Sequence, residues 1–181
     1  KLEVLVGGVN VWKSTNGGTS WTIYGHWTGT GAPFVHADIH DIIYASNGTM
    51  WVGCDGGVFN RATAATSWTD KSTGMNIAQP YRIGLSTSNA SLLISGHQDN
   101  GTNRYNGSWA QVMGGDGMIS FIDWSNNNRL FASYYQGSLQ RSTNGGGNWT
   151  DISINTTESA PWVTPWCQDP NTANTLYAGY E

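Results

Sequence analysis

Charge is scarce in this chain of 181 residues: eight Lys and Arg stand against twelve Asp and Glu, together 11% of the sequence. A formal charge of -4 excludes a surface built for nucleic-acid phosphates, which requires clustered cations. No apolar run approaches the roughly eighteen residues of a spanning helix, so no transmembrane segment is expected. Helical periodicity is missing almost everywhere. Phosphate-binding signatures are missing as well: there is neither a G-x-x-x-x-G-K-S/T loop nor a dinucleotide fingerprint, and no cofactor is expected. Cysteine is limited to Cys54 and Cys167, with no C-x-x-C spacing, which leaves a disulfide and two buried thiols both open. The opening KLEVLVGGV lacks an initiator Met and a signal core, and the closing NTLYAGYE stops within a strand pattern. A piece of a longer polypeptide is the expectation.

Glycine and tryptophan are abundant instead, at 24 and 10 residues. Glycine follows no three-residue period, which excludes collagen, and it crowds with Ser, Thr and Asn between short apolar runs, as tight turns do. A repeat explains both residue types. Ser14-Thr15-Asn16-Gly17-Gly18-Thr19-Ser20-Trp21 returns as Ser142-Thr143-Asn144-Gly145-Gly146-Gly147-Asn148-Trp149, with weaker copies ending at Trp68 and Trp109. The four Trp recur at roughly forty-residue intervals, close to the length of a four-stranded propeller blade.

Each unit reads as strand, Asn-rich turn, strand, Gly-rich turn, strand, Trp-bearing hairpin, strand. Strand segments are rich in Val, Ile, Leu and aromatics. The reading is all-β: a β-propeller of four-stranded antiparallel blades, covering residues 1–181 as about four blade equivalents, incomplete at both ends, and so an arc of a larger wheel. A two-sheet sandwich competes, but it gives no reason for a recurring Trp motif.

The hairpin spacing has a physical logic. Asn at the third position forms an Asx turn, Gly takes backbone conformations closed to other residues, Ser ties the two sides together, and Trp packs the hairpin down. At these residues the chain resembles the BNR or Asp-box repeat of sialidases, sortilin-type ectodomains and glycosidase propellers. Asn148 departs from the usual Thr or Ser, the Trp68 copy has Ala65 where Gly is expected, and the Trp109 copy is shortened. The segments 35–41, 54–58, 96–102, 114–118 and 169–180 resemble propellers of large secreted proteins of Bacteroidetes-type bacteria. The resemblance implies a secreted or cell-surface bacterial protein, with further blades or domains of the parent chain as partners.

Candidate ligand-binding residues form two groups. His36, Asp38 and His40 alternate along VHADIHD and would share one face of an extended strand, as a polar network or, if the side chains converged, as a transition-metal site. Asp55, His97, Asp99 and Asp116 lie beside Gly-rich turns, where they either cap the backbone or form a polar mouth for a sugar, peptide or Ca2+. Trp27, in the longest non-repetitive loop, is a candidate stacking surface, whereas Trp162 and Trp166 are expected to pack between blades. Arg61, Arg104 and Arg141 fall at matching third-strand positions and do not form the arginine cluster of a sialidase.

These residues point to a non-catalytic propeller module that binds protein or glycan. The alternative is a fragment of a glycoside hydrolase acting on β-glucan or xyloglucan-type polysaccharide with paired carboxylates. No catalytic pair is placed by the sequence.

Overall fold

The computed structural model describes residues 2–181. All regular structure among them is β-strand, arranged as antiparallel sheets whose strands follow chain order. The fold is that of a β-propeller built from four-stranded blades. The chain forms two compact units, Lys1–Ile77 and Ala78–Glu181.

The first unit contains a three-stranded sheet, β1 (Val4–Gly7), β2 (Val11–Ser14) and β3 (Thr22–Gly25). Beside it lies the four-stranded sheet of β4 (Ile39–Tyr44), β5 (Met50–Cys54), β6 (Gly57–Arg61) and β7 (Thr69–Asp70). Val11, Val35, Met50, Val52, Phe59 and Trp68 bury together between them. Alternation along β5 sends Met50 and Val52 into this core, because successive side chains leave opposite faces.

The second unit repeats the plan. One four-stranded sheet is β8 (Pro80–Leu85), β9 (Leu92–His97), β10 (Gly101–Asn106) and β11 (Trp109–Met113). The next is β12 (Ser120–Ile122), β13 (Leu130–Ser133), β14 (Leu139–Ser142) and β15 (Thr150–Asp151). A two-stranded sheet follows, β16 (Trp166–Gln168) and β17 (Leu176–Ala178). Leu92, Ile94, Ile122 and Leu130 fill the first interval, and Phe131, Leu139 and Trp166 the second. Glycine sets how closely these sheets approach. A Cβ on Gly84 would lie 2.5 Å from the Phe121 Cα, and one on Gly96 would strike the Met118 carbonyl.

The two full copies of the Ser-x-Asn-x-Gly hairpin are geometric duplicates. Ser14 Oγ accepts from Gly18 N at 2.8 Å, and Asn16 Oδ1 accepts from Ser20 N at 2.9 Å. Ser142 and Asn144 make the same bonds to Gly146 N and Asn148 N at the same distances. Gly17 and Gly18, with φ of 72° and 93°, match Gly145 and Gly146 at 70° and 94°, conformations that a Cβ disfavours. Asn148 serves through its backbone N–H, so the departure from Ser keeps that bond. What it gives up is the Asn16 Nδ2 to Ser20 Oγ bond of the first copy.

The weaker copies show how the hairpin survives sequence change. Arg61 stands opposite Met50, as Ser14 stands opposite Val4 and Ser142 opposite Leu130. Its Nε donates to the Ala65 carbonyl, closing the same five-residue span with reversed polarity. Arg61 also lies over the Tyr24 ring at 3.9 Å. The expected equivalence of the three arginines is corrected here: Arg61 faces the preceding sheet, whereas Arg104 donates to the Gly145 carbonyl of the following one. The Trp positions diverge as well. Trp68 and Trp149 donate their indole N–H to Tyr24 O and Val112 O, each on the outermost strand of the preceding sheet. Trp21 bonds within its own hairpin, and Trp109 follows a short turn and stays 58% exposed.

A second repeated device follows the outermost strands. Ser72 Oγ and Ser153 Oγ each accept from the start of the neighbouring strand, Val58 N and Leu139 N, both at 3.0 Å. Asp70 and Asp151 hold the backbone of those serines at 2.7 Å. Both cysteines are free: Cys54 is half-buried, and Cys167 is exposed rather than buried.

The Asn-rich turns between first and second strands form a polar belt through the second unit. Ser86 donates to Asn127, Trp124 Nε1 to Asp169 O, and Arg129 to both Asn174 and Asp123. Asp123 is fully buried, with Arg129 Nη1 at 2.9 Å. Burial pushes its carboxyl upward, but bonds from Gln168 and Ser125 and the Arg129 charge outweigh that and hold it below 3.8. The contribution is therefore complete above an unfolded carboxyl value near 3.8 and fades as pH falls through the lower folded value. Asp123→Ala is expected to destabilise the second unit by about 3 kcal/mol at pH 7, because it leaves Arg129 without its counter-charge and the turn N–H of Ser125 without its acceptor. Chemical denaturation should show that difference shrinking below about pH 4.

Candidate functional site

The opposite edge of the blades, where second strands turn into third strands, carries the candidate residues. In the first unit the buried Val35 anchors the approach to β4, and Ile39 N donates to Gly8 O at 2.8 Å. Between them Asp38 has φ of 60°, so the segment is not extended and the expected one-face alternation of His36, Asp38 and His40 does not hold. The His36 ring instead covers Gly56, where a Cβ would overlap it.

A β-bulge aims the next residue. The β4–β5 register passes from Ile39–Cys54 to Asp41–Gly53, leaving His40 as the extra residue. Its Nε2 then meets Asp55 Oδ1 on the β5–β6 turn. That hydrogen bond raises the His40 pKa above 6.5, with the Asp55 charge and the Asp38 charge acting in the same direction. Asp38 and Asp55 offer carboxylate oxygens within 4.8 Å of each other. Four sequence-chosen residues, His36, Asp38, His40 and Asp55, therefore share this edge of the first unit.

The second unit uses the same bulge. Its register passes from Pro80–His97 to Arg82–Gly96, leaving Tyr81 as the extra residue, and Tyr81 Oη donates to Gln98 Oε1. The pair Tyr81–Gln98 is thus the positional equivalent of His40–Asp55. Sequence reasoning marks Gln98 among the turn residues but misses Tyr81 and the pairing, because the turn lengths differ and the residue types share no motif. The bulge was not visible in a strand pattern.

His97 turns away from the edge. It is buried, its Nε2 lies 2.6 Å from Ser95 Oγ, and burial lowers its pKa, favouring the neutral ring. Asp116 Oδ1 accepts from Asp99 N at 2.9 Å, and Gly117 N donates to His97 O. Asp116 is therefore occupied in holding the β9–β10 turn, while Asp99 sits at its tip with φ of 62°.

Trp27 lies on the loop after β3, exposed, with its N–H on Asn10 Oδ1 and its ring stacked on His26 at 6.4 Å. Trp166 packs against Phe121 and Phe131 as expected. Trp162 does not: it is 45% exposed and stacked on Tyr135. Neither Tyr135 nor its pairing had a sequence signal.

Titration of His40 tests this geometry. Its imidazole should titrate above 6.5, and Asp55→Asn should return it toward 6.5, as read from ring proton shifts. The stabilisation from the pair should be complete below pH 6.5 and disappear as pH rises through the folded value.

No protein-family model and no curated protein sequence matches the chain. Among solved structures it is similar to an ancestral GH74 enzyme, with 22% identity over 99% of this chain and a TM-score of 0.48. It is also similar to the GH74 xyloglucanase of Xanthomonas campestris, with 15% identity over 97% of this chain and a TM-score of 0.46. A third is the extracellular domain of a one-component system of B. thetaiotaomicron, with 14% identity over 98% and a TM-score of 0.43. The chain spans 26%, 33% and 25% of the lengths of those three.

Proposed function

We propose that the chain is a non-catalytic ligand-binding module, part of a larger secreted or cell-surface β-propeller protein of the Asp-box type, which recognises protein or glycan through the second-to-third-strand edge of its blades. One observation carries the reading: acidic side chains are distributed unequally between the two edges. On the first-to-second-strand edge, Asp123 and Asp169 are consumed by turn N–H groups and by Arg129 or Tyr177. On the other edge of the first unit, Asp38, His40 and Asp55 converge in a half-exposed group near bulges and turns that aim them. A carboxylate pair with an adjacent imidazole suits ligand hydroxyl or amide groups, which it can accept from and donate to.

A second reading has its own support. Asp38 and Asp55 bring two carboxylates to one place, with oxygens no more than 4.8 Å apart, and a retaining glycosidase likewise uses a close carboxylate pair as acid and nucleophile. His40 opposes that use of Asp55, since the ion pair holds the carboxylate in place.

Reducing-end release from xyloglucan and β-glucan, measured beside glycan and peptide binding, separates the two. The binding reading expects saturable binding without turnover, weakened roughly tenfold by Asp38→Asn or Asp55→Asn. Turnover abolished by Asp38→Asn, with the fold intact by circular dichroism, would replace it with the hydrolase reading.

A further inference from the structure

Tyr135 and Trp162 form a ring stack that stays open to solvent. Their centroids are 4.6 Å apart and their planes 6° from parallel, yet 42% of Tyr135 and 45% of Trp162 remains exposed. Tyr135 lies in the turn between β13 and β14, and Trp162 on the segment leading into β16. Both backbones are tied. Gln136 N donates to Trp162 O at 3.1 Å, Tyr134 N to Ser138 O at 2.9 Å, and Thr164 Oγ1 to Pro161 O at 3.0 Å. Tyr180 Oη holds the Gly137 carbonyl at 3.2 Å. Gln136 takes φ of 53° to make the turn. Little side-chain freedom is left to lose on binding, which favours recognition by a flat, rigid surface.

The segments that carry the stack are themselves uncharged. Neither 131–140 nor 159–166 contains a charged residue, and the exposed or half-exposed polar side chains of these segments include Gln136, Ser138 and Ser159, whereas Thr164 is buried. An anionic ligand therefore meets no counter-charge on these segments, and the acidic residues Glu158 and Glu181 stand at their margin, Glu181 N donating to Ser159 O at 2.9 Å. A ligand with an apolar flat face and uncharged hydroxyls at its rim meets both kinds of surface. We propose that the Tyr135–Trp162 stack is a platform for a neutral β-linked hexopyranose chain, whose axial C–H groups lie on the open ring surface and whose equatorial hydroxyls reach the amide and hydroxyl side chains. This rests on the reading of the chain as a ligand-binding module and names the ligand class at a second place in it. A proline-rich peptide is less suited, because such segments lie in grooves between aromatics set side by side, whereas these rings stack face to face.

The probe is cellohexaose, whose substituents are all equatorial, titrated into the 181-residue chain by calorimetry and followed by saturation-transfer NMR. Binding is expected, with sugar ring protons closest to the protein. Trp162→Ala or Tyr135→Ala should weaken it roughly tenfold, Trp162→Phe should retain part of the affinity, and Trp109→Ala should leave it unchanged. The Phe variant and Tyr135→Ala keep the test usable if Trp162→Ala fails to fold. Binding untouched by all three platform variants overturns the assignment while leaving the module reading intact. Absence of cellohexaose binding overturns it too, and a proline decamer bound in its place, with loss in Trp162→Ala, reassigns the platform to peptide.

Discussion

A blade of short strands cannot bury both faces by itself, so everything else in this chain depends on sheets approaching closely enough to share a core. Missing side chains permit that approach. Gly84 and Gly96 leave room for β12 to lie against β8 and β9, and Leu92, Ile94, Ile122 and Leu130 then close over the interval. Once the sheets are in register, the hairpin tryptophans can reach across to a neighbouring carbonyl. Trp68 and Trp149 do so at equivalent places on β3 and β11. A larger side chain at Gly96 would push back the Gly117–Met118 backbone that leads into β12 and so open the interval between the two sheets.

The same architecture separates two kinds of edge. Turns between first and second strands are polar but internally satisfied, with Asn127 and Arg129 bonded to neighbouring turns and Asp123 paired with Arg129. Their chemistry is spent on stability. Bulges in the first strands aim His40 and Tyr81 at Asp55 and Gln98 on the turns between second and third strands. Loops on a rigid scaffold are where recognition residues commonly sit, and here the scaffold supplies the same aiming device to chemically different pairs.

Much of the fold was legible because repetition is a local property. The Ser14 and Ser142 hairpins announce themselves by identical spacing, and their bonds match to a tenth of an ångström. The third copy was harder, since Arg61 replaces Ser and reverses the direction of the hydrogen bond. The Ser72 and Ser153 clamps went unread although Trp-Thr-Asp-x-Ser occurs twice, at 68–72 and 149–153. The candidate site was legible in composition but not in arrangement. His36, Asp38 and His40 look equivalent on an ideal strand, and a positive φ at Asp38 with one inserted residue gives each a different neighbour. His97 resembles a site residue in sequence, yet its ring is buried beside Ser95.

The sequence by itself determined the strand period, the turn chemistry and the blade length, because each depends on residues a few positions apart. Tertiary structure decided which of the ten tryptophans are covered. Trp166 meets Phe121 and Phe131 across an interval between sheets, while Trp162, four residues earlier, stacks in the open on Tyr135. Composition cannot separate those two residues. Exposure depends on which distant turn arrives alongside, and that is settled only when the sheets pack.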